Sequence, residues 1–269
     1  MRFARWIFCL VLVFGFLSGG ASGGVIHISA AVSLKEALTA AGRRYHQINP
    51  SAASILFNFG ATGALRAQIA QGAPADLFIA ASDDEMNKAE KAGLIDPATR
   101  KVIARNQLVL IVPADSKLKL DQLSALAKSP GVHRLAIGQP RTVPAGMYAQ
   151  QALKYLHLWD ALGPRLIYGE SVRQVLAYVE RGEVDAGLVY LTDAKQAGAK
   201  VRVVAIAGEE THDPICYVAA VVKGIHAAAA GRAFIDYLVS PDGQEVLEGY
   251  GFAAAVAAAT DPATMPASR

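Results

Sequence analysis

The sequence predicts an α/β protein of two lobes, each a mostly parallel β-sheet flanked by helices. Short apolar runs alternate with amphipathic helical patterns along most of the chain, which is typical of βαβ units with right-handed crossovers. These units form two sets of similar size, at about residues 25–105 and 107–206. The last strand and helices are too few to fold alone, so we expect them to return to the first lobe. Two chain crossings then predict a hinge, with a ligand cleft between the lobes.

The two ends of the chain are predicted to lie outside the lobes. Arg2 and Arg5 precede an apolar run at 7–17 and then small residues, which is typical of a secretory signal. The run is shorter than the roughly 20 residues that span a bilayer. We therefore expect an exported, periplasmic protein. The predicted divisions are a signal peptide at 1–23, lobe 1 at 24–106 and 208–255, lobe 2 at 107–207, and a disordered tail at 256–269.

Composition favours a globular protein and argues against nucleic-acid binding. The chain has 269 residues, of which 53% are hydrophobic and 18% charged, which is enough apolar material for two lobes. Its formal net charge is +3 and falls to +1 without the two signal arginines, so no basic field for a polyanion remains. Cys9 belongs to the predicted signal. Cys216 is then alone in the mature chain, and an internal disulfide is not expected.

In the first lobe, strands are predicted at apolar runs and helices at segments whose apolar residues have helical spacing. Ser33 with Glu36, and likewise Ser82 with Glu85, form capping boxes that predict helix starts. The predicted elements are strands at 25–28, 54–59 and 75–80, and helices from 33, at 62–71 and at 82–93.

The second lobe continues the same alternation. Pro144 suits the first position of a helix, because the N–H that it lacks would be unpaired there. Ser171 with Gln174 forms a further capping box, and Thr192 is predicted to cap a helix that follows a strand. The predicted elements are strands at 107–112, 134–137, 165–168, 185–190 and 201–206, helices at 120–128, from 143 and at 171–181, and the returning strand 215–222 with helices 226–239 and 241–250.

A feature that recurs in both lobes is a helix start with uncharged donors, mostly just after a strand. Such starts contain Ser33, Thr62, Ala145 and Val172. The first N–H groups of a helix have no partner within it and carry a positive partial charge, so a helix start can bind an anion. Each of these residues taken alone is more often part of a plain helix cap. As a set spread over both lobes, they predict a pocket of neutral donors.

Such a pocket favours an anion that carries no proton. Hydrogen bonds to a charged partner contribute about 1.5–3 kcal/mol each. Roughly six of them leave room for micromolar or tighter binding after an association cost of about 4–15 kcal/mol. Hydrogen phosphate would need an acceptor, and the nearest carboxylate, Asp76, lies inside a predicted strand. The pattern therefore favours a sulfate-like or molybdate-like dianion.

Catalytic and metal-binding motifs are weak in this sequence. Gly169-Glu170-Ser171 begins like a nucleophile elbow, but position 173 is Arg instead of the second Gly. The six histidines are scattered singly, and neither a Walker A sequence nor a G-x-G-x-x-G motif is present. We expect no enzyme activity, no cofactor and no direct cation ligand. A secreted hydrolase that uses Ser171 is the remote alternative.

The stretches around these helix starts resemble those of a known family. They are Ala30-Ala31-Val32-Ser33-Leu34, Phe59-Gly60-Ala61-Thr62-Gly63, Gly72-Ala73-Pro74-Ala75-Asp76-Leu77-Phe78, Val143-Pro144-Ala145-Gly146-x-Tyr148-Ala149, Val172-Arg173 and Gly187-Leu188-Val189-Tyr190. In these stretches the chain resembles the periplasmic molybdate-binding proteins of ABC importers. The resemblance covers nearly all of the mature chain and implies the two-lobed periplasmic-binding-protein fold, with the ligand between the lobes.

The resemblance also implies a ligand shell. Ser33 and Thr62 would donate hydroxyl and backbone N–H bonds to molybdate. Ala145 and Val172 would donate backbone N–H bonds. Tyr190 would reach in with its phenol from the second lobe.

A transport role follows from the same resemblance. The protein would capture molybdate, and also tungstate, and deliver it to an ABC transporter permease in the inner membrane. It would act as a monomer and perform no chemistry on the ligand. A carrier of another tetrahedral oxyanion, such as sulfate, thiosulfate or chromate, is the alternative within this class.

Overall fold

The protein has two β-sheets, one in each lobe, and the computed structural model describes residues 24–224 and 227–255. The strands of lobe 1 are β1 (Val25–Ala31), β2 (Ser54–Gly60), β3 (Leu77–Ala80), β4 (Lys101–Arg105) and β10 (Cys216–Val221). The strands of lobe 2 are β5 (Leu108–Pro113), β6 (Leu135–Gly138), β7 (Leu166–Gly169), β8 (Ala186–Tyr190) and β9 (Val201–Ile206). The predicted signal peptide 1–23, the tail 256–269 and the first residue of the helix predicted at 226–239 lie outside the described residues.

Helices flank both sheets. Those of lobe 1 are α1 (Lys35–Ile48), α2 (Thr62–Ala70), α3 (Asp83–Lys91), α8 (Ala228–Val239) and α9 (Pro241–Gly249). Those of lobe 2 are α4 (Pro144–Tyr155), α5 (Trp159–Leu162), α6 (Val172–Glu180) and α7 (Leu191–Ala197). The two-lobed α/β fold predicted from the sequence is confirmed. In the part of the chain described, none of these helices has the length and apolar character needed to cross a membrane.

Both sheets are mixed, but in each of them four of the five strands run in the same direction, so the prediction of mostly parallel sheets is confirmed. The strand orders are β2-β1-β3-β10-β4 in lobe 1 and β7-β6-β8-β5-β9 in lobe 2. β1 is parallel to β2 and β3, whereas β10 is antiparallel to β3 and β4. In lobe 2, β6 is parallel to β7 and β8, whereas β5 is antiparallel to β8 and β9. The antiparallel strands follow from the position of the hinge. β5 and β10 each begin at the hinge, directly after the chain crosses between the lobes, whereas their neighbouring strands end at the hinge.

The central strands form the core of each lobe. β3 and β10 in lobe 1, and β6 and β8 in lobe 2, are buried along their whole length. These strands read as nearly continuous apolar runs, as expected where helices cover both faces of a sheet. The sheets therefore hold the strand ends near the hinge in fixed positions.

Several predictions of single elements are wrong. The helix predicted at 120–128 is only a short 3-10 segment, Leu123–Lys128. The strand β4 has no counterpart among the predicted elements, because its sequence Lys-Val-Ile-Ala-Arg carries too short an apolar run to stand out. The strand predicted at 75–80 begins later, at Leu77, because Asp76 and the residues before it form a loop.

The capping predictions divide into two groups. Ser82 and Ser171 are helix caps, and their hydroxyls accept hydrogen bonds from the N–H groups of Glu85 and Gln174, each at 3.2 Å. Ser33 is not a side-chain cap: it lies in a 3-10 turn, Val32–Leu34, and α1 begins after it. Thr192 is not a cap either, because it lies inside α7. In both cases the hydroxyl bonds a side chain elsewhere in the fold instead.

Candidate functional site

A small cavity lies between the two lobes, where helix starts from both of them meet. It is lined by Ala31, Val32, Ser33, Gly60, Ala61, Thr62, Ala81, Val143, Pro144, Ala145, Val172 and Tyr190. The cavity volume that is open to the centre of a water-sized sphere is about 10 Å³. This is roughly the volume needed for one bound water. A sugar or a peptide does not fit in this closed arrangement.

All five residues predicted to bind the ligand line this one cavity. Ser33 and Thr62 come from lobe 1, and Ala145, Val172 and Tyr190 come from lobe 2. The strands and helices of two different sheets therefore bring together residues that are far apart in the sequence. Their role in binding stays a prediction, and their shared position is what makes it testable.

The Thr62 hydroxyl is held by the backbone that directly follows β3. Thr62 is the first residue of α2 and is 1% exposed. Its Oγ1 accepts a hydrogen bond from the N–H of Ala81 at 3.2 Å. Because this bond uses the oxygen as an acceptor, the hydroxyl proton is left to be donated. Thr62 can therefore act as a donor toward the cavity.

Ser33 is also buried and bonded from behind. It is 4% exposed, and its Oγ lies 2.9 Å from the phenolic oxygen of Tyr217 on β10. The side chain is therefore fixed by a residue that is distant in sequence, rather than by its own helix.

Tyr190 is the lining residue whose side chain most clearly lacks a hydrogen-bond partner. It is 1% exposed, and its hydroxyl has no hydrogen-bond partner among the described residues. Burial raises the pKa of Tyr190 well above its ordinary value, so the phenol stays protonated. An unsatisfied buried hydroxyl costs about 1–3 kcal/mol. A ligand oxygen in the cavity would remove that cost.

Two helix starts contribute backbone donors from lobe 2. Pro144 is the first residue of α4 and has no N–H, so Ala145 carries the first backbone donor of this helix. Val172 is the first residue of α6, where the hydroxyl of Ser171 already satisfies the N–H of Gln174. The first N–H groups of both helices have no carbonyl partner within the helix. They add to the partial positive charge at the cavity.

No charged side chain lines the cavity among the described residues, but an ion cluster lies beside it. Arg173 follows Val172 and places its Nη2 2.5 Å from Glu36 of α1 and its Nε 2.8 Å from Asp193 of α7. Asp193 is fully buried, and burial raises its pKa to about 6 against the opposing effect of the arginine. Two carboxylates thus oppose the charge of Arg173. The Glu36–Arg173 pair also ties lobe 1 to lobe 2.

The lobes also meet through their backbones next to the cavity. The N–H of Gly63 on α2 donates to the carbonyl of Thr142 in lobe 2 at 3.0 Å. A Cβ atom at Gly63 would lie 2.8 Å from that carbonyl oxygen. Only glycine permits so close an approach of the two backbones.

Two other candidates from the sequence have structural roles. The carboxylate of Asp76 accepts a hydrogen bond from the N–H of His27 at 2.7 Å and does not line the cavity. It therefore provides no acceptor for a protonated anion there. Ser171 uses its hydroxyl to cap α6. In the part of the chain described, no group of three or more His, Cys, Asp or Glu side chains could hold a metal ion.

Sequence reasoning missed three residues around the cavity. The sequence pattern marks Gly63 only as part of a glycine-rich stretch, although a glycine inside a helical pattern can have a packing reason. Tyr217 lies in an apolar strand, where a single buried phenol needs a hydrogen-bond partner. Asn106, in the first crossing between the lobes, had no signal in the sequence pattern.

Comparisons with known proteins find similar sequences over most of this chain. Residues 26–253 match the family model described as bacterial extracellular solute-binding protein. The chain is 38% identical over 250 residues to the molybdate-binding protein ModA of Haemophilus influenzae, which covers 91% of this chain and 96% of that protein. It is 39% identical over 235 residues to ModA of Escherichia coli, with 86% and 90% covered.

A solved structure with the same fold is the periplasmic molybdate-binding protein of Azotobacter vinelandii. The two superpose with a TM-score of 0.76, covering 84% of this chain and 98% of that one. The sequence identity is 23%, so this likeness speaks for the fold.

Proposed function

Since the chain belongs to the bacterial extracellular solute-binding protein family, we propose that it captures molybdate outside the cytoplasm and delivers it to the permease of an ABC importer. The observation that carries the proposal is the buried Tyr190 hydroxyl, which has no partner within the described structure and lies at a cavity of neutral donors. The molybdate-binding relatives support the same ligand. Binding of tungstate, a monomeric state and cleavage of a signal peptide are further parts of this proposal.

Molybdate suits the cavity because the anion only accepts hydrogen bonds and the groups that line the cavity can donate them. The anion has four acceptor oxygens and carries no proton at neutral pH. The cavity offers hydroxyl and N–H donors, while the acceptor side of Thr62 is already used by the N–H of Ala81. Hydrogen phosphate would leave its own proton without an acceptor, at a cost of about 1–3 kcal/mol.

Binding would be coupled to closure of the lobes. The ligand bonds lobe 1 through Ser33 and Thr62 and lobe 2 through Ala145, Val172 and Tyr190, so only the closed arrangement makes every bond. A ligand that binds one conformation more tightly shifts the population toward it. The closed form would then be the one that the permease recognises. The protein itself would perform no chemistry.

Alternative oxyanions and a hydrolase remain as competing functions. Sulfate, thiosulfate and chromate are also tetrahedral anions that would accept from these donors, and they would differ from molybdate mainly in size. For a hydrolase, the Ser171 hydroxyl would have to act as nucleophile, but it caps a helix and is not part of the cavity lining. A panel of oxyanions therefore separates the main alternatives.

Molybdate is expected to raise the melting temperature of the mature protein, whereas phosphate is not. At a ligand concentration 1,000 times the Kd, stabilisation is about 4 kcal/mol, which for a chain of this size corresponds to about 8–16 °C. Differential scanning fluorimetry with molybdate, tungstate, sulfate, thiosulfate, chromate and phosphate measures this directly. Equal shifts with molybdate and phosphate would contradict the proposal, and a larger shift with sulfate would favour the alternative carrier.

Replacing Ser33 with alanine is expected to weaken molybdate binding by about 1–3 kcal/mol, because one hydroxyl donor to a charged ligand is lost. The same change removes the partner of Tyr217, so the free protein should also become less stable. Isothermal titration calorimetry measures the first effect and thermal melting the second. A loss of stability with unchanged affinity would reduce Ser33 to a structural role.

A further inference from the structure

A chain of hydrogen bonds runs from the hinge to the cavity. In the first crossing between the lobes, the Oδ1 of Asn106 accepts from the N–H of Gln107 at 2.9 Å. Its Nδ2 donates to the Oγ1 of Thr192 at 2.8 Å and to the phenolic oxygen of Tyr217 at 3.2 Å. That phenolic oxygen lies 2.9 Å from the Oγ of Ser33. This series of hydrogen bonds thus links the hinge with Ser33, which lines the cavity.

The direction of these bonds follows from the number of protons available. Because the Oδ1 of Asn106 accepts from a backbone N–H, its Nδ2 must be the donor, and the Tyr217 oxygen receives that bond. Tyr217 is fully buried and has a single proton to donate. Burial raises its pKa above the ordinary value, so the proton stays on at neutral pH. Leaving it without an acceptor would be costly, and the Ser33 Oγ is the acceptor in contact.

The consequence for Ser33 is that the direction of its hydrogen bonds is fixed. When its oxygen accepts from Tyr217, its own proton is left to point into the cavity. Thr62 has the same arrangement, since its oxygen accepts from the N–H of Ala81. Both hydroxyls of lobe 1 that line the cavity therefore use protein donors from behind and offer donors in front. Each hydroxyl then directs its own proton toward the cavity, so that its bond to the ligand is a donated one.

From this arrangement we propose that Tyr217 is a positioning residue that keeps Ser33 a donor and thereby helps the cavity to reject protonated oxyanions. The inference rests on the proposed function, because it concerns the same cavity and the same ligand class. Tyr217 does not line the cavity and acts through Ser33. It determines selectivity between molybdate and hydrogen phosphate, in addition to affinity.

The test is the substitution Tyr217→Phe. It removes the hydroxyl and keeps the ring, which packs edge-on against Tyr190 and Phe252 with centroids 5.9 and 5.2 Å away. The Ser33 hydroxyl is then no longer held by a donor, so it can rotate and accept as well as donate. Molybdate affinity is expected to fall about 3–10-fold, while phosphate affinity stays equal or rises, so that the ratio of the two falls at least about 3-fold. Calorimetric titration with molybdate, and competition with phosphate, gives both affinities.

Two controls separate positioning from a general structural effect. In a Ser33→Ala background, Tyr217→Phe should cause no further change in either affinity, because the residue through which it acts is absent. Tyr148→Phe removes another buried tyrosine hydroxyl, one that bonds the carbonyl of Pro214 at 3.5 Å and not Ser33. It should leave the molybdate-to-phosphate ratio unchanged. If Tyr217→Phe does not fold, Asn106→Ala is the second variant and should lower the ratio in the same direction.

The outcomes are distinct. A wild-type protein that binds no molybdate overturns the proposed function and this inference together. A wild-type protein that binds molybdate, with an unchanged ratio in Tyr217→Phe, overturns the inference alone. An equal fall of the ratio with and without Ser33 would also overturn it, since the effect would then not pass through that hydroxyl.

Discussion

Gly63→Ala is expected to lower molybdate affinity about 100-fold, equivalent to about 2.7 kcal/mol, without destabilising the free protein. The added Cβ would lie 2.8 Å from the carbonyl oxygen and 2.9 Å from the Cα of Thr142. Both are backbone atoms of the opposite lobe and cannot move aside as a side chain would. The lobes must then stay slightly apart, and bonds from both of them to one small ion cannot be made at full strength.

The free protein can avoid this clash by opening at the hinge. Alanine also favours a helix more than glycine by up to about 1 kcal/mol, so the melting temperature without ligand should be unchanged or higher. The matched control is Gly249→Ala in α9, where an added Cβ has no neighbour within 4 Å. That variant should gain the same helix preference and keep its affinity. A tightly binding Gly63→Ala protein would show that the cavity does not need this closure.

Tyr190→Phe is expected to separate binding from stability. Molybdate affinity should fall about 10–100-fold, because a hydrogen bond to a charged ligand contributes about 1.5–3 kcal/mol. Without ligand, the hydroxyl is buried and has no partner in the described structure, so its removal should leave the melting temperature unchanged or raise it. Titration calorimetry and thermal melting on the same preparation test both halves of the prediction.

Tyr237→Phe is the control for this second experiment. Tyr237 is 6% exposed and its hydroxyl also has no partner among the described residues, but it lies in α8, away from the cavity. Its removal should affect stability in the same way and leave molybdate binding intact. If both variants bind molybdate like the wild type, the Tyr190 hydroxyl is not a ligand.

Much of the candidate site could be predicted because its parts are local. The helix starts at Thr62, Ala145 and Val172 follow from apolar periodicity, a glycine-rich turn and a proline at the first helical position. Each of these signals lies within a few residues of the position that it predicts. Their meeting in one cavity was suggested by the α/β pattern, since strand ends in parallel units gather at one edge of a sheet.

The rest depended on contacts between distant segments. Ser33 has the sequence of a capping box, yet its hydroxyl bonds Tyr217, which is 184 residues away. Ser33 lies in a short 3-10 turn that precedes α1, and no local pattern distinguishes such a turn from the first turn of a helix. The antiparallel orientation of β10 in the sheet of lobe 1, and of β5 in the sheet of lobe 2, likewise depends on where the chain crosses between the lobes. Periodicity reports which face of a strand is buried and not its direction.

The predicted use of main-chain donors at two of the five positions would affect how this site tolerates substitutions. Ala145 and Val172 carry their N–H groups at helix starts, and nearly any amino acid supplies the same atom there. Side-chain truncation, the usual way to map a binding surface, would not detect a backbone N–H donor at either position. Any substitution that the buried surroundings of these two positions tolerate would therefore leave the predicted contact in place, whereas proline would delete it.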